Sequence, residues 1–542
     1  MMDPPRFLGA APVQMKSDGP SPCATEIYKD ILVVGAGISG IGAAYYIKNR
    51  LPASTTFEVL DRNADLGGTW RLFKYPGCRT DSDMFSFSYA FHPWKSAVQF
   101  ATAAEILSYL NEVVDVHDLR SSLRFNAHVV SADFSTVDSL WRLETVSGQR
   151  YCCRYLMMCA GYYDVDAGFT PTFPGSDEFK GTIVHTQQWP EDEVIDCTGK
   201  RVVVVGSGAT AITLIPAIAK TAKHVTMLQR SPTYIVGDRS THLPTPWLAQ
   251  QGLARLGPWF AAAYWGAARL LMVTATALYY KFCKMFPSAA RAMTLKLAAR
   301  RLRGSNVDMV HFSPRYKVWD QRVCFAPDGD FFTCIRRGTA SVVTAQLERF
   351  SSNGIILAPG SIAEEGGAAT IDADIVILAT GLNIAFLGKT RVSIDGVAID
   401  VSDHLAYKGF MLDDVPNLFF VVGYTNASWT LKVDLVCQMV CGLLSWMKTW
   451  GFDTARPHPP RAENEAEREE MFDFTSSYVQ RAKHLMPKQG AVSPWRVHQN
   501  YFLDWIALRL NPIDDGVLDF SNSPRTKANL AQRAAAQISA RL

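Results

Sequence analysis

No charge of one sign dominates this 542-residue sequence: 54 Lys and Arg stand against 51 Asp and Glu, a net charge of +3. Composition therefore supplies no general pull toward nucleic acid, which is not expected as a partner. The eleven cysteines form no paired CxxC sites of zinc spacing and no dense framework of the kind small secreted domains use. A structural zinc module is excluded, no metal site is expected, and a reducing, cytoplasmic compartment fits. Residues 1–30 lack the continuous apolar stretch of about 7–15 residues that a secretory signal needs. Charged residues are only 19% and hydrophobic ones 48%, so a disordered chain is excluded and there is ample apolar material for large buried cores. At roughly 100–200 residues per domain, the length predicts two to four domains.

Residues 1–28 read as a loosely ordered extension, punctuated by Pro, Ser and Gly faster than any helix or strand period can settle. Order begins at Ile31-Leu32-Val33-Val34, an all-apolar run with the look of a parallel strand buried on both faces. Gly35-Ala36-Gly37-Ile38-Ser39-Gly40 follows, then a helix. In such a turn Gly35 permits the tight bend, Gly37 lets a pyrophosphate approach the backbone, and Gly40 lets helix and strand pack closely. A second strand, Thr56 to Leu60, ends at Asp61, 26 positions after Gly35, where a carboxylate can accept from ribose hydroxyls.

The pattern repeats downstream. Arg201 to Val205 reads as a strand, and Gly206-Ser207-Gly208-Ala209-Thr210-Ala211 as the phosphate turn, with Ala in the third glycine's place. The next strand, His224 to Leu228, leads into Gln229 and Arg230, the latter 24 positions after Gly206 and therefore where the first unit has Asp61. A guanidinium there attracts the 2′-phosphate that distinguishes NADP from NAD, whereas an acid repels it. The first unit thus suits FAD and the second NADPH. Two such units predict an α/β chain with two Rossmann-like dinucleotide-binding domains and a hydride relay from nicotinamide to flavin. For the step after that, a disulfide reductase would want a redox cysteine pair, but Cys78 is alone, Cys152 and Cys153 are adjacent, and Cys437 and Cys441 sit in an apolar run. No iron–sulfur or haem motif points to an electron-transfer partner, and oxygen chemistry remains.

Between the glycine motifs, Phe179-Lys180-Gly181-Thr182-Ile183-Val184-His185-Thr186-Gln187-Gln188-Trp189-Pro190 has the form FxGxxxHxxxWP. That stretch, with Gly67-Gly68-Thr69-Trp70, Tyr75 to Met84, Leu378-Ala379-Thr380-Gly381 and Gly423 to Thr430, resembles the type I Baeyer–Villiger flavin monooxygenases, and within them the ethionamide-activating branch. The resemblance covers almost everything from about Asp30 to Phe520. It implies oxygen insertion from O2 beside a ketone to give an ester or lactone through a C4a-peroxyflavin, with sulfoxidation as a side activity. The implied partners are a small ketone or thioether and O2. Two alternatives stand beside it: an N- or S-oxygenating flavin monooxygenase, against which Trp189 and Arg322 speak, and a non-catalytic redox-sensing flavoprotein. Product analysis with a ketone and a sulfide separates them.

The resemblance also implies residue roles. Arg322 occupies the position of the family's catalytic arginine, and Asp81 matches the carboxylate that steers it. The FAD site would comprise Gly35, Gly37, Ser39, Gly40, Asp61, Gly68, Thr69, Trp70, Asp81 and Val129. Arg79, Thr80 and Asp81 would join Gly206, Ser207, Gly208, Ala209, Thr210, Ala211, Gln229 and Arg230 at NADP. Many members carry Lys just before the catalytic Arg; here Gln321 stands there, so NADPH preference leans on Arg230. The fingerprint residues Phe179, Gly181, His185 and Trp189 are expected in the linker between nucleotide domains, where His185 either couples their motions or is simply a buried, hydrogen-bonded histidine.

These placements predict an FAD domain at 29–164, an NADP domain at 165–373 inserted in it, and a return of the FAD domain over 374–520, with Ile375 to Leu378 as the returning strand. An active-site loop is expected around Pro494–Tyr501, and 521–542 is a tail. Residues 236–309 break the α/β alternation as a helical insertion. Pro258 to Tyr280 is apolar apart from Arg269, and a basic stretch follows. A central arginine and a split Rossmann domain argue against a span. Two readings remain: a buried insertion walling the substrate cavity, or an interfacial helix giving peripheral membrane contact through 258–303. The run Arg461 to Glu470, rich in helix formers and mixed charge, reads as a solvated helix face.

Overall fold

The computed structural model describes residues 26–96, 98–190, 194–238, 258–359, 370–458, 467–472, 474–524 and 527. Most of the expected N-terminal extension, residues 239–257 of the insertion, residues 461–466 of the acidic run and nearly all of the tail beyond Pro524 lie outside the described residues.

Two sheets organise the chain. In the first, of nine strands, Ile27–Val34 lies between Phe57–Leu60 and Arg150–Met158, parallel to both. Ile31 to Val34 are buried, as a continuous apolar run in a sheet covered on both faces requires. Helix α1 (Ile38–Arg50) leaves the end of this strand. The second sheet has five parallel strands in the order Ala340–Thr344, His224–Gln229, Arg201–Val205, Ile375–Leu378, Thr182–His185. Its glycine loop opens helix α2 (Ala209–Ile218).

The returning strand is a correction. Ile375–Leu378 pairs with Arg201–Val205 and Thr182–His185 and so completes the second sheet. The chain re-enters the first sheet later, at Arg391–Ile394 and Leu418–Phe420. An apolar strand buried on both faces looks the same in either sheet, and only its pairing assigns it. The expected boundary at 373/374 moves to the antiparallel ribbon of Tyr163–Gly168 and Leu382–Ile384, where the chain passes between the two sheets.

The insertion is framed by the parallel pair Ile235–Asp238 and Cys324–Pro327 and holds helices α3 (Pro258–Met285) and α4 (Pro287–Arg301). It is not a buried wall: Leu270, Leu271 and Leu278 are exposed. The lone charge of α3's apolar run has a structural reason. Arg269 turns inward, its Nη2 3.0 Å from the Asp434 carboxylate and its Nη1 donating to the carbonyls of Phe85, Ser86 and Ser88.

Asp434 belongs to α5 (Trp429–Trp450), the one described helix long and apolar enough to cross a membrane; 78% of its apolar window is buried, and its Val433, Val436 and Val440 share a core with Ile41, Ala44 and Ile47 of α1. The expected loop at Pro494–Tyr501 is tied down rather than draped over a site. Trp495 is buried, the Gln499 side chain accepts from the Thr425 N–H and hydroxyl at 3.0 and 3.1 Å, and Tyr501 begins α6 (Tyr501–Arg509). The acidic run is corrected as well: Arg468–Glu470 is a strand paired with Lys488–Gly490, and Glu470 faces Lys488 at 3.1 Å. Cross-strand pairing overrides the local helix preference there.

Candidate functional site

A cavity of 990 Å³ opens between the two sheets, and both glycine loops line it. On the first side Gly35, with φ +106, turns so tightly that a Cβ would lie 2.6 Å from the Cys159 carbonyl oxygen, and a Cβ on Gly40 would lie 1.7 Å from that of Gly35. Gly40 therefore serves the loop by packing and does not itself line the cavity. The first turn of α1, with Gly37 as N-cap, has no side-chain cap, which leaves its N–H groups available to an anion.

Asp61 lines the cavity nearly buried. Its Oδ2 accepts from the Ala36 N–H at 2.6 Å, and its Oδ1 from the Asn63 N–H and amide at 2.8 and 2.9 Å. Burial pushes its carboxyl pKa up against the pull of those donors. Ser39, Gly68, Thr69, Trp70 and Val129 line the same wall, and Ser39 accepts a hydrogen bond from the Trp429 indole at 2.8 Å.

On the second side Gly206, Ser207, Gly208, Ala209, Thr210 and Arg230 line the cavity. A Cβ on Gly208 would meet nothing within 4 Å, so open space lies against the uncapped start of α2. Two expected contacts are corrected. Ala211 is fully buried beneath the loop and away from the cavity. Gln229 is also turned inward: its amide donates to the His311 carbonyl at 2.7 Å and the Thr344 hydroxyl at 2.9 Å. Successive strand side chains point to opposite faces, so when Arg230 faces the cavity Gln229 does not.

Between the loops lie Arg79, Thr80, Asp81, Gln321 and Arg322. Arg322 and Asp81 form a two-pronged pair, Nε to Oδ2 at 2.7 Å and Nη2 to Oδ1 at 2.9 Å. Asp81 holds the arginine's pKa above its ordinary value, with burial opposing, so the guanidinium is a permanent cation. Two of its five N–H donors serve Asp81, and three remain. The Arg322 side chain keeps 34% of its surface. Thr80 commits its hydroxyl to Ser82. Arg79 pairs with Asp330 at 2.7 Å through Nη1, while its buried Nε and Nη2 have no partner among the described residues.

Several cavity residues carry no sequence signal. Tyr162, Tyr163 and Tyr478 lie within electrostatic reach of Arg322, and Tyr162 stacks on Trp429 with centroids 5.4 Å apart. Arg481 lies 3.5 Å over the Phe169 ring, and its pKa is pushed down by burial and then by neighbouring Arg230. Both arginines line the cavity, and neither has a carboxylate partner among the described residues. Only the fold brings Arg481 across from Arg230.

The fingerprint stands outside the cavity. Phe179 packs on Phe350. Gly181 is needed because a Cβ there would lie 2.3 Å from the Asp374 carbonyl oxygen. Trp189 packs partly buried on the core of the second sheet. His185 ends an edge strand, accepts from the Gln187 N–H at 3.1 Å through Nδ1, and touches Gly168 of the connecting ribbon so closely that a Cβ there would collide with its ring.

Burial pushes the His185 pKa down from its ordinary 6.5, offset in part by the Gly381 and Phe169 backbone. The unfolded chain therefore takes up a proton below about pH 6.5 that the folded one refuses, and stability present above that pH is lost on acidification. In urea titrations between pH 6.5 and 5, His185→Asn is expected to lose stability less steeply than the parent, by at most about 1.4 kcal/mol per pH unit.

Comparison with known proteins assigns the chain. EthA, the FAD-containing monooxygenase of Mycobacterium tuberculosis, is 42% identical over 501 residues, covering 91% of this chain and 98% of its own. The chain belongs to the flavin-binding monooxygenase-like family. That family matches residues 28–249, and the enzyme is a flavin-dependent monooxygenase of the Baeyer–Villiger type. The fold agrees with a steroid monooxygenase bound to NADP, with a TM-score of 0.72 at 24% identity over 91% of this chain and all of that one. It also agrees with OTEMO in complex with FAD and NADP, with a TM-score of 0.68 at 21% identity over 92% and 100%.

The monooxygenase is FAD-containing, and its structural neighbours bind FAD and NADP. Its own residues fit both nucleotides. Two uncapped helix starts face one cavity, open space lies at Gly208, and two buried Arg79 nitrogens await an acceptor.

Proposed function

We propose that this monooxygenase inserts one oxygen atom of O2 beside a ketone carbonyl to give an ester or lactone, with thioether oxidation as a side activity. FAD is placed on the Gly35 loop and NADPH on the Gly206 loop. The observation that carries the reading is the Arg322–Asp81 pair, set in the cavity between the two loops. When bound, NADPH supplies a hydride to FAD, and the reduced flavin activates O2.

The chain's residues do the rest. The open N–H groups of α1 and α2 hold pyrophosphates, and Asp61 retains one acceptor site, on Oδ2, for a ribose hydroxyl. Asp81 aims the Arg322 fork, whose free donors stabilise negative charge developing on the substrate oxygen, the preorganised kind of stabilisation that needs no reorientation during reaction. A cation that never gives up its proton serves this better than a lysine, which burial can neutralise. Tyr162 and Trp429 form an apolar, stacked wall beside it.

Arg230 and Arg481, two cations without an acidic partner among the described residues, suit the 2′-phosphate of NADPH from opposite sides. Each alanine substitution is expected to weaken NADP+ binding roughly 10- to 100-fold, as loss of a hydrogen bond to a charged group does, and to leave NAD+ binding unchanged. Calorimetric titration of the FAD-loaded protein with both nucleotides checks this. The function itself is tested by incubating the enzyme with NADPH, ¹⁸O2 and a ketone. One labelled oxygen in an ester product is expected; NADPH consumption that ends wholly in hydrogen peroxide refutes the reading.

A further inference from the structure

Between Asp238 and Asp308 the chain has no acidic residue in 69 positions, yet ten of its 54 Lys and Arg fall there. The remainder of the chain is consequently net acidic. In the described part of this stretch Lys281, Lys296, Arg300 and Arg303 are exposed, and none has an ion-pair partner among the described residues.

Helices α3 and α4 of this stretch, with α6 and their capping residues, carry more than half of the exposed large hydrophobic side chains among the described residues. Residues 258–301 together with 501–510, a tenth of the sequence, supply thirteen of the 23 exposed large hydrophobic side chains among the described residues. Leu270, Leu271 and Leu278 form an outward stripe on α3 and are 58–62% exposed, while Phe502, Trp505 and Ile506 do the same on α6. The two helices are neighbours: Val273 of α3 and Tyr501 of α6 meet in one apolar cluster with Tyr424 and Leu431. Because Arg269 is pinned inward to Asp434, α3 is held flat along the molecule, its opposite face free. Leucines with tryptophan and phenylalanine, bordered by the unpaired cations of α3 and α4, is the composition of a helix face that rests in a lipid interface rather than one that spans it.

We propose that the α3–α4–α6 face docks on an anionic lipid surface, and that the enzyme takes apolar substrate from that bilayer. Charge complementarity selects this occupant: a second copy meeting this face with the same face would bring its own four unpaired cations against these. The face is also one side-chain layer from the site, since Tyr424, in the cluster beneath α3 and α6, lines the cavity. The substrate part rests on the reading given under Proposed function; the docking part does not.

The test uses the FAD-loaded full chain and sucrose-filled vesicles of phosphatidylglycerol and phosphatidylcholine in equal parts, against vesicles of phosphatidylcholine alone. Sedimentation should show at least tenfold stronger partition onto the anionic vesicles, falling at least fivefold from 50 to 500 mM NaCl. The triple variant Leu270→Ser, Leu271→Ser, Leu278→Ser should lose at least tenfold of that partition while keeping its FAD content. It should also raise KM at least tenfold for a twelve-carbon ketone presented in the vesicles, with KM for water-soluble cyclohexanone unchanged. Equal partition onto both vesicle types, absence of partition, or a concentration-dependent dimer abolished by the triple variant would overturn the docking. An equal KM change for both ketones would overturn the substrate route. Sedimentation needs no turnover, so a failure of ketone oxidation would leave the docking result standing.

Discussion

Replacing Arg322 with alanine is expected to lower the yield of oxygenated product by about 10²- to 10³-fold, the usual cost of removing one preorganised donor from developing negative charge. Anaerobic reduction of the flavin by NADPH should stay within a few-fold of the parent. The split follows from where the residue sits. Asp81 occupies only its Nε and one Nη2 donor, so the remaining donors are free to act on substrate. Hydride transfer, by contrast, depends on how the two nucleotides are held, which falls to the glycine loops and Arg230. Arg322→Lys retains the charge but cannot keep the two-pronged grip on Asp81, and should fall between parent and alanine variant. The measurement is product formed per NADPH consumed, with hydrogen peroxide assayed in parallel. If product and flavin reduction decline together, the arginine serves nucleotide binding instead.

Substituting Arg269 with methionine should destabilise the attachment of α3 by about 3–5 kcal/mol, the range for breaking a buried ion pair from one side. The loss is large because four acceptors depend on one guanidinium: the Asp434 carboxylate and the carbonyls of Phe85, Ser86 and Ser88. Burial already pushes the Asp434 pKa up, and Arg269 is its chief counterweight. Hydrogen exchange of the α3 amides should accelerate by about two to nearly four orders of magnitude, as that change in local opening free energy requires. The double variant Arg269→Met, Asp434→Leu should recover only part of the protection: no unpaired charge is left behind, but the carbonyls of Phe85, Ser86 and Ser88 still lack their donor. An unchanged exchange rate in the single variant would mean that apolar packing alone holds α3.

What could be read from the sequence was local. The Gly35 and Gly206 loops are contiguous strand–turn–helix signals, and the strand-end positions of Asp61 and Arg230 follow from them. Both loops and both strand-end residues line the cavity. Strand alternation was legible too, and would have turned Gln229 away from the cavity once Arg230 was placed in it. Asp81 and Arg322 lie 241 positions apart. Only the family resemblance linked them, because no periodicity spans such a distance.

Arg481, Tyr162 and Tyr478 had no signal at all, as the fold brings them to the cavity from separate segments. Ile375–Leu378 hides its sheet for a related reason, since an apolar run buried on both faces is silent about its partners. Arg468–Glu470 had helix-forming residues, but the strand Lys488–Gly490 beside it decides its conformation. For α3 the composition showed an apolar helix with one arginine. It could not show that the arginine points inward and the leucines out.

The central claim, that one cavity holds both nucleotides with a fixed cation between them, is tested most directly by a crystal structure of the FAD–NADP+ complex. The account predicts FAD pyrophosphate on the α1 loop, NADP+ on the α2 loop with its 2′-phosphate between Arg230 and Arg481, and the free donors of Arg322 turned toward the flavin ring. NADP+ on the Gly35 loop, or an Arg322 that stays directed away from the flavin with both nucleotides bound, would contradict it.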